Sequence, residues 1–216
     1  MIISLIGQKG GVGKSTLATC LAAEYHLRGA STLLVDADPQ GSVRTWGDVA
    51  AEAGHAGPTI VSMGSGLHKP EQLPAIARNF DVTVIDCPPR LGDIQRAAMM
   101  VSNLAVLPCG PQPSEVWALA ATLEIVDQAR TIRPDLVAAI VVTRRRHTSL
   151  GRTIRDSLAE TGLPVLESAL GLRSDFEEAM GSGLGVTGYA PTGKAAEELR
   201  SVLTELEELL GEEHNA

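Results

Sequence analysis

The sequence predicts a doubly wound α/β fold: a mostly parallel sheet with helices on both faces, built as a single domain over residues 1–216. Three observations carry this. Short apolar runs alternate with helix-length stretches from one end of the chain to the other, and repeated strand–helix units pair their strands in parallel through crossovers. Hydrophobic residues make up 44% of the chain but aromatics only 3%, the small and branched composition of strands covered on both faces. A glycine-rich stretch joins the first strand to the first helix. In such sheets, ligands meet the carboxyl ends of the strands at these junctions.

Taken in order, Ile2–Ile6 is a continuous apolar run and reads as the first strand. Lys14–Arg28 is helical and stops at Gly29, because glycine ends helices readily. Thr32–Val35 is a second strand, followed by a helix over Gly41–Glu52. Thr59–Ser62 is a weaker strand, and Pro70 opens a helix to Asn79, proline being tolerated in a first turn. Val82–Ile85 is a buried strand, Asp93–Ser102 a helix and Leu104–Leu107 another strand. A long helix over Ser114–Ile132 precedes the strand Leu136–Val142. Leu150–Thr161 reads as helical and Pro164–Leu166 as a short strand. The last helix, Gly193–Leu210, places Ala195, Leu199, Val202, Leu203, Leu206 and Leu210 on one face.

Charge and cysteine usage narrow the function classes. The net charge is −8, yet residues 174–216 hold ten acids and two bases, which accounts for the whole excess. Residues 130–173 hold eight arginines and four acids, so a basic region survives beside an acidic tail. Cys20, Cys87 and Cys109 are scattered without a C-x-x-C pair, which argues for a reducing compartment and against a zinc or iron–sulfur site. No apolar run of about 18 residues is present, so no transmembrane helix is expected, and the acidic end at Glu205–Glu213 argues against a membrane partner. The first strand begins at once, leaving no room for a secretory signal, and a cytoplasmic location is expected.

Gly7-Gln8-Lys9-Gly10-Gly11-Val12-Gly13-Lys14-Ser15-Thr16 reads as a phosphate-binding loop of the G-x-x-x-x-G-K-[ST] kind, with Gly7 taken as its first glycine. Glycines let backbone N–H groups fold around phosphate oxygens, Lys14 reaches the β- and γ-phosphates, and the Ser15 hydroxyl ligates Mg²⁺. The nucleotide contacts predicted are therefore Gly10, Gly11, Val12, Gly13, Lys14, Ser15 and Thr16. Asp86 ends the apolar strand Val82–Ile85, the Walker B arrangement, and holds the same ion through a water. Asp36 and Asp38, two residues apart at another strand end, can serve a magnesium ion and a water. Thr143 and Arg144 at the end of the sixth strand are expected to meet the base, and the lack of an Asn-Lys-x-Asp guanine reader favours ATP.

Lys9 is a second lysine that a phosphate loop does not need. It sits too far back to duplicate Lys14 and can instead reach across a two-fold axis to the nucleotide of a second subunit, as an arginine finger does in trans. Arg144-Arg145-Arg146 continues into a helix bearing Arg152 and Arg155, a cluster suited either to solvent or to neutralising DNA phosphates. Arg90, after Cys87-Pro88-Pro89, fits no role.

With Lys9-Gly10-Gly11-Val12-Gly13-Lys14-Ser15-Thr16, Asp36-Ala37-Asp38-Pro39-Gln40-Gly41 and the strand ending in Asp86, the chain resembles the ParA/MinD family of deviant Walker ATPases over nearly its whole length. It most resembles the short ParA-type partition ATPases without an N-terminal helix-turn-helix. The resemblance implies Mg²⁺-dependent ATP hydrolysis with Lys9, Lys14 and Asp38 catalytic, Asp38 positioning the attacking water, and Ser15, Asp36 and Asp86 serving the metal. It implies an ATP-dependent homodimer in which Pro111 meets the nucleotide across the interface. It also implies nucleoid association, with non-specific double-stranded DNA held by Arg145, Arg146, Arg152 and Arg173, and a ParB-like or other adaptor that stimulates slow hydrolysis to partition or position a cargo: a plasmid, a chromosome region or a large protein cluster. Two alternatives are a MinD-like membrane-cycling ATPase, disfavoured by the acidic end at Glu205–Glu213, and a nucleotide-dependent protein scaffold.

Overall fold

A computed structural model of the chain describes residues 1–90, 92–145 and 150–213, the side chains of 150–154, 212 and 213 excepted. Strands and helices alternate from the first residues: β1 (Ile2–Leu5), α1 (Lys14–Leu27), β2 (Thr32–Asp36), α2 (Ser42–Glu52), β3 (Thr59–Ser62), α3 (Leu73–Ala77), β4 (Val82–Asp86) and α4 (Gly92–Val101). The second half continues with β5 (Leu104–Cys109), α5 (Pro113–Ile132), β6 (Val137–Arg145), α6 (Leu150–Ala159) and β7 (Val165–Gly171). Helices α7 (Ser174–Gly181), α8 (Val186–Tyr189) and α9 (Lys194–Glu213) close the chain.

The seven strands form one parallel sheet in the order β3-β2-β4-β1-β5-β6-β7. β1 lies at the centre with β4 on one side and β5 on the other. The loops that follow β1, β2, β4, β5 and β6 therefore leave the same end of the sheet, which gathers the phosphate loop, Asp36 with Asp38, Asp86, and Thr143 with Arg144.

Alternation along the strands divides the core into two layers, as a period of two requires. Ile3, Leu5, Val84, Leu104 and Val106 pack toward α1, α2, α7 and α9, against Leu17, Trp46, Phe176 and Leu203. Leu33, Ile85, Ala105 and Leu107 pack the other way, against Leu73, Met99, Val126 and Leu158 of α3, α4, α5 and α6. The predicted stripe of α9, from Ala195 to Leu210, is buried throughout.

The acidic tail has structural work as well as charge. β7 is an edge strand, and an edge leaves backbone N–H groups unpaired. Glu205 of α9 accepts the N–H groups of Glu167 and Ser168, each at 2.7 Å, and Glu198 accepts that of Gly171 at 2.9 Å.

The larger differences from the sequence reading lie in five elements. β7 runs to Gly171 rather than ending at Leu166, and β6 runs to Arg145. α3 is confined to Leu73–Ala77, because Pro70 and its neighbours form turns before it. α7 and α8 were not predicted. Glycine and charge interrupt their sequence, and the chain between them turns at Gly183, whose φ of 68° and close approach to the Ala50 backbone exclude any side chain. Among the described residues no helix is long and apolar enough to cross a membrane.

Candidate active site

The loop between β1 and α1 is shaped by two left-handed glycines, Gly11 at φ 75° and Gly13 at φ 92°. A side chain on either would meet open space, so glycine is required by backbone conformation and not by crowding. Gly13 caps α1 without any side-chain hydrogen bond, and the first helical bond runs from Leu17 N–H to the Gly13 carbonyl. The N–H groups of Lys14, Ser15 and Thr16 consequently have no helical acceptor and stand at the positive end of the helix dipole, an anion cradle. Counting back from Lys14, the first glycine of the G-x-x-x-x-G-K-[ST] pattern falls at position 8, where the chain carries Gln8; Gly7 stands one residue early. A side chain is tolerated there because position 8 is not left-handed, and Gln8 is fixed through its N–H to Thr122 Oγ1 at 3.3 Å.

The loop opens on a cavity of about 420 Å³. It is lined by Gly10, Gly11, Gly13, Lys14, Ser15 and Thr16 of the loop, by Asp38 and Gln40 after β2, and by Pro89 after β4. Thr143 and Arg144 at the end of β6 complete one wall, and Leu170 to Arg173 with Phe176 form another. Lys14 is buried, its Nζ donating to the Lys9 carbonyl at 3.0 Å. Burial lowers its pKa, while the acids around it, Asp86 foremost, work the other way. Val12 does not line the cavity; its carbonyl accepts the Thr143 hydroxyl at 2.8 Å, tying β6 to the loop.

Asp86 is completely buried behind Ser15, and neither carboxylate oxygen has a well-formed hydrogen-bond partner. Burial raises its pKa to about 7, although the neighbouring Ser15 hydroxyl and Lys14 ammonium favour the charged form; Asp36 and Asp38 add to the rise. Two unpartnered buried carboxylate oxygens beside a hydroxyl suit a hard cation, and Mg²⁺ takes few protein ligands and keeps its waters. Ser15 and Asp86 thus fit the metal.

Asp36, expected to order the metal shell, is engaged with its own loop. Its Oδ1 accepts the Asp38 N–H at 3.2 Å and its Oδ2 the Arg44 N–H at 2.9 Å, so it folds its own loop and caps α2 from below. It is buried and does not line the cavity. Asp38 does line it, with Oδ1 accepting the Gln40 N–H at 2.9 Å.

Lys9 is turned away from its own cavity. Its Nζ donates to Ser114 Oγ at 3.2 Å and lies 3.4 Å from Glu115 Oε1. Pro111 also lies off the cavity, in the turn that delivers Ser114 and Glu115 to Lys9. Arg90 holds a left-handed φ of 62° beside the cavity residue Pro89.

The arginines fall into separate environments. Arg173 lies in the cavity wall and makes a bidentate pair with Glu198, Nε to Oε2 at 3.0 Å and Nη2 to Oε1 at 2.7 Å. The guanidinium expected to meet DNA thus has an intrachain partner in Glu198. Arg145 ends β6 opposite Gly171, and its charge also reaches Glu198. Arg146 lies outside the described residues, and of Arg152 only its place in α6 is described.

Two features escaped the sequence. Gln95 of α4 is buried, and its amide donates to the Pro88 carbonyl at 2.7 Å and the Gly7 carbonyl at 3.3 Å while accepting Gln8 Nε2 at 3.3 Å. It clamps the phosphate loop to the loop after Asp86. A lone glutamine on the buried side of a helix was the available signal. The wall from Leu170 to Phe176 was missed with the length of β7.

A helix-terminal anion cradle, a buried lysine and a cation-ready carboxylate at the end of a parallel sheet define a phosphate-loop nucleotide-binding protein. The chain belongs to the CobQ/CobB/MinD/ParA nucleotide-binding domain family, which it matches over residues 3–186, and is a ParA-like ATPase. It is 30% identical over 208 residues to the maintenance of carboxysome distribution protein A of Halothiobacillus neapolitanus, covering 94% of this chain and 95% of the relative. The chromosome-partitioning ATPase Soj of Thermus thermophilus is 27% identical over 234 residues, with 94% of each covered. In fold, the septum site-determining protein MinD of Pyrococcus horikoshii, solved with Mg-ADP, superposes with a TM-score of 0.74 at 20% identity over 98% of both chains.

Proposed function

We propose that the chain is a Mg²⁺-dependent ATPase that closes into a homodimer on ATP, holds non-specific double-stranded DNA of the nucleoid as a dimer, and positions a large cargo through an adaptor that stimulates hydrolysis. The observation that carries this reading is the orientation of Lys9. A phosphate-loop lysine spent on its own nucleotide would line its own cavity; Lys9 does not, and is turned instead onto Ser114 and Glu115 of α5. Lys14 and the N–H groups of the helix terminus bind the phosphates, Ser15 and Asp86 hold the cation, and Asp38 orients water at the open side. Mg²⁺ supplies charge neutralisation between phosphate oxygens when bound.

The relative named for carboxysome distribution supports a protein assembly as the cargo, and Soj supports a nucleoid track. On the DNA side the reading leans on Arg145, Arg146 and Arg152, because Arg173 is paired with Glu198. Dimerisation doubles such a patch, and phosphate contacts multiply affinity steeply. The test is binding to random-sequence duplex DNA with ATP, with ADP and without nucleotide across a salt series, alongside Lys9→Ala and Arg145→Ala. Binding that needs ATP and Lys9 and weakens steeply with salt is expected. An ATP-dependent dimer that binds no DNA at low salt would remove the DNA half of the proposal.

A further inference from the structure

One carboxylate outside the predicted motifs touches both ends of the machinery. Glu115, in the first turn of α5, has a side chain only 3% exposed. Its Oε1 pairs with Lys9 at 3.4 Å and also with Arg144 Nη2. Its Oε2 is buried without a hydrogen-bond partner, and so is Nε of Arg144. The complementary donor and acceptor thus lie unused in the same site.

We infer that Glu115 is a positioning residue that holds Lys9 within its own subunit until a second copy of the chain takes it, and that Arg144 closes onto Glu115 as Lys9 leaves. This rests on the reading that Lys9 acts across a dimer. A buried carboxylate stripped of its cation is strongly destabilising, so Lys9 can depart only if another positive charge remains. Arg144 is already in contact through one nitrogen. Its planar fork can engage both carboxylate oxygens at once, and such bidentate pairs are the stronger form. Swinging Nε onto Oε2 satisfies both unpartnered atoms and keeps Glu115 paired throughout the exchange. Lys9, on a flexible stem and 34% exposed, is the cation free to move.

Gly110 makes the arrangement possible. Any side chain there would overlap Glu115 Oε2 and crowd Arg144 Nη2. Arg144 also lines the nucleotide cavity, so the residue that takes over from Lys9 stands in the wall of the site where a nucleotide would bind.

The experiment is the dimer dissociation constant with a non-hydrolysable ATP analogue, measured by sedimentation for the unaltered protein, Glu115→Gln, Lys9→Ala and the double variant. Glu115→Gln, which keeps the size and removes the charge, is expected to tighten the dimer about tenfold, the equivalent of about 1.4 kcal/mol. The gain should vanish when Lys9 is alanine. Gly110→Ala, which displaces the carboxylate by bulk, is expected to give a gain of the same sign and guards against misfolding of the first variant. A Glu115→Gln dimer no tighter than the unaltered one, while Lys9→Ala weakens association, overturns the holding role alone. A gain that survives in the Lys9→Ala background overturns it too. A Lys9→Ala protein that dimerises as tightly as the unaltered one overturns the trans reading itself, and this inference with it.

Discussion

Replacing Gln95 by leucine tests whether the phosphate loop and the loop after Asp86 are held in register by one side chain. The substitution keeps the volume and removes both donors, leaving the buried carbonyls of Pro88 and Gly7 without the bonds they receive at 2.7 and 3.3 Å. An unpaired buried acceptor costs about 1–3 kcal/mol. The short bond to Pro88 accounts for most of the loss and the long one to Gly7 for little, about 3 kcal/mol in total. Leucine returns about 1 kcal/mol through apolar burial, so a net loss of about 2 kcal/mol is expected. For a chain of this length that lowers the melting temperature by about 4–8 °C. The nucleotide adds a second readout, because at a fixed concentration a ligand that binds only the native state stabilises it more the more tightly it binds. Mg-ADP should raise the melting temperature of the variant less than that of the unaltered protein, since the cradle and the cation site no longer keep a fixed separation. Thermal melts with and without Mg-ADP decide the matter. A variant that melts within a degree or so of the parent would refute the energetic argument. A variant that melts lower but gains as much from Mg-ADP would refute the clamp and leave Gln95 a structural residue.

Asp86→Asn should abolish Mg²⁺-dependent nucleotide binding, followed by calorimetry, yet stabilise the ligand-free protein at high pH. The buried carboxyl has its pKa raised to about 7, so it withdraws stability progressively as pH rises from the ordinary carboxylate range through that value, and the amide escapes this loss. Denaturation of both proteins across pH should show the variant's advantage above that value and none in acid. Glu198→Gln should destabilise by about 1–2 kcal/mol at neutral pH, by weakening the Arg173 pair and the Gly171 contact. Burial works to raise the Glu198 pKa, but those hydrogen bonds outweigh it and the net shift is downward. Its stabilisation is therefore present above the unfolded carboxyl range and lost as pH falls through the lowered value, so the two proteins should converge in acid denaturation curves. Leu203→Ala on the buried stripe of α9 should cost about 2–5 kcal/mol in urea denaturation, the range for an emptied core site.

What was legible in the sequence was what chemistry pins to short spacings. The phosphate loop needs glycine where φ is positive and lysine and serine one after the other, so it shows in a dozen residues. The acid at the end of β4 shows because it interrupts an apolar strand. The wall from Leu170 to Phe176 depends instead on how far β7 runs beside β6, and that pairing is irregular between Val142 and Arg145. No local pattern specifies such a register. Glu198 and Glu205 looked like surface charge on an acidic tail, because which edge a helix covers is settled by tertiary packing. Glu115 and Gln95 were hidden for the same reason: each is one ordinary helical residue whose partners stand 29 to 106 positions away in the chain or on another loop.

The end of β6 shows how three consecutive residues can serve different tasks. Successive side chains of a regular strand point to opposite faces, yet Thr143 and Arg144 both line the nucleotide cavity. Arg144 achieves this with a left-handed φ of 52°, a conformation costing a non-glycine residue about 1–2 kcal/mol. That cost is offset by the buried pair with Glu115 that the turn makes available. Glycine would adopt the backbone freely but would leave Glu115 with Lys9 as its only described cation. A strained arginine is what the site requires: it brings a charge into the cavity wall, secures the carboxylate beneath Lys9, and turns the chain so that Arg145 continues along the edge beside β7. The cavity wall, the Glu115 pair and the edge beside β7 are thus built from adjacent residues of one strand.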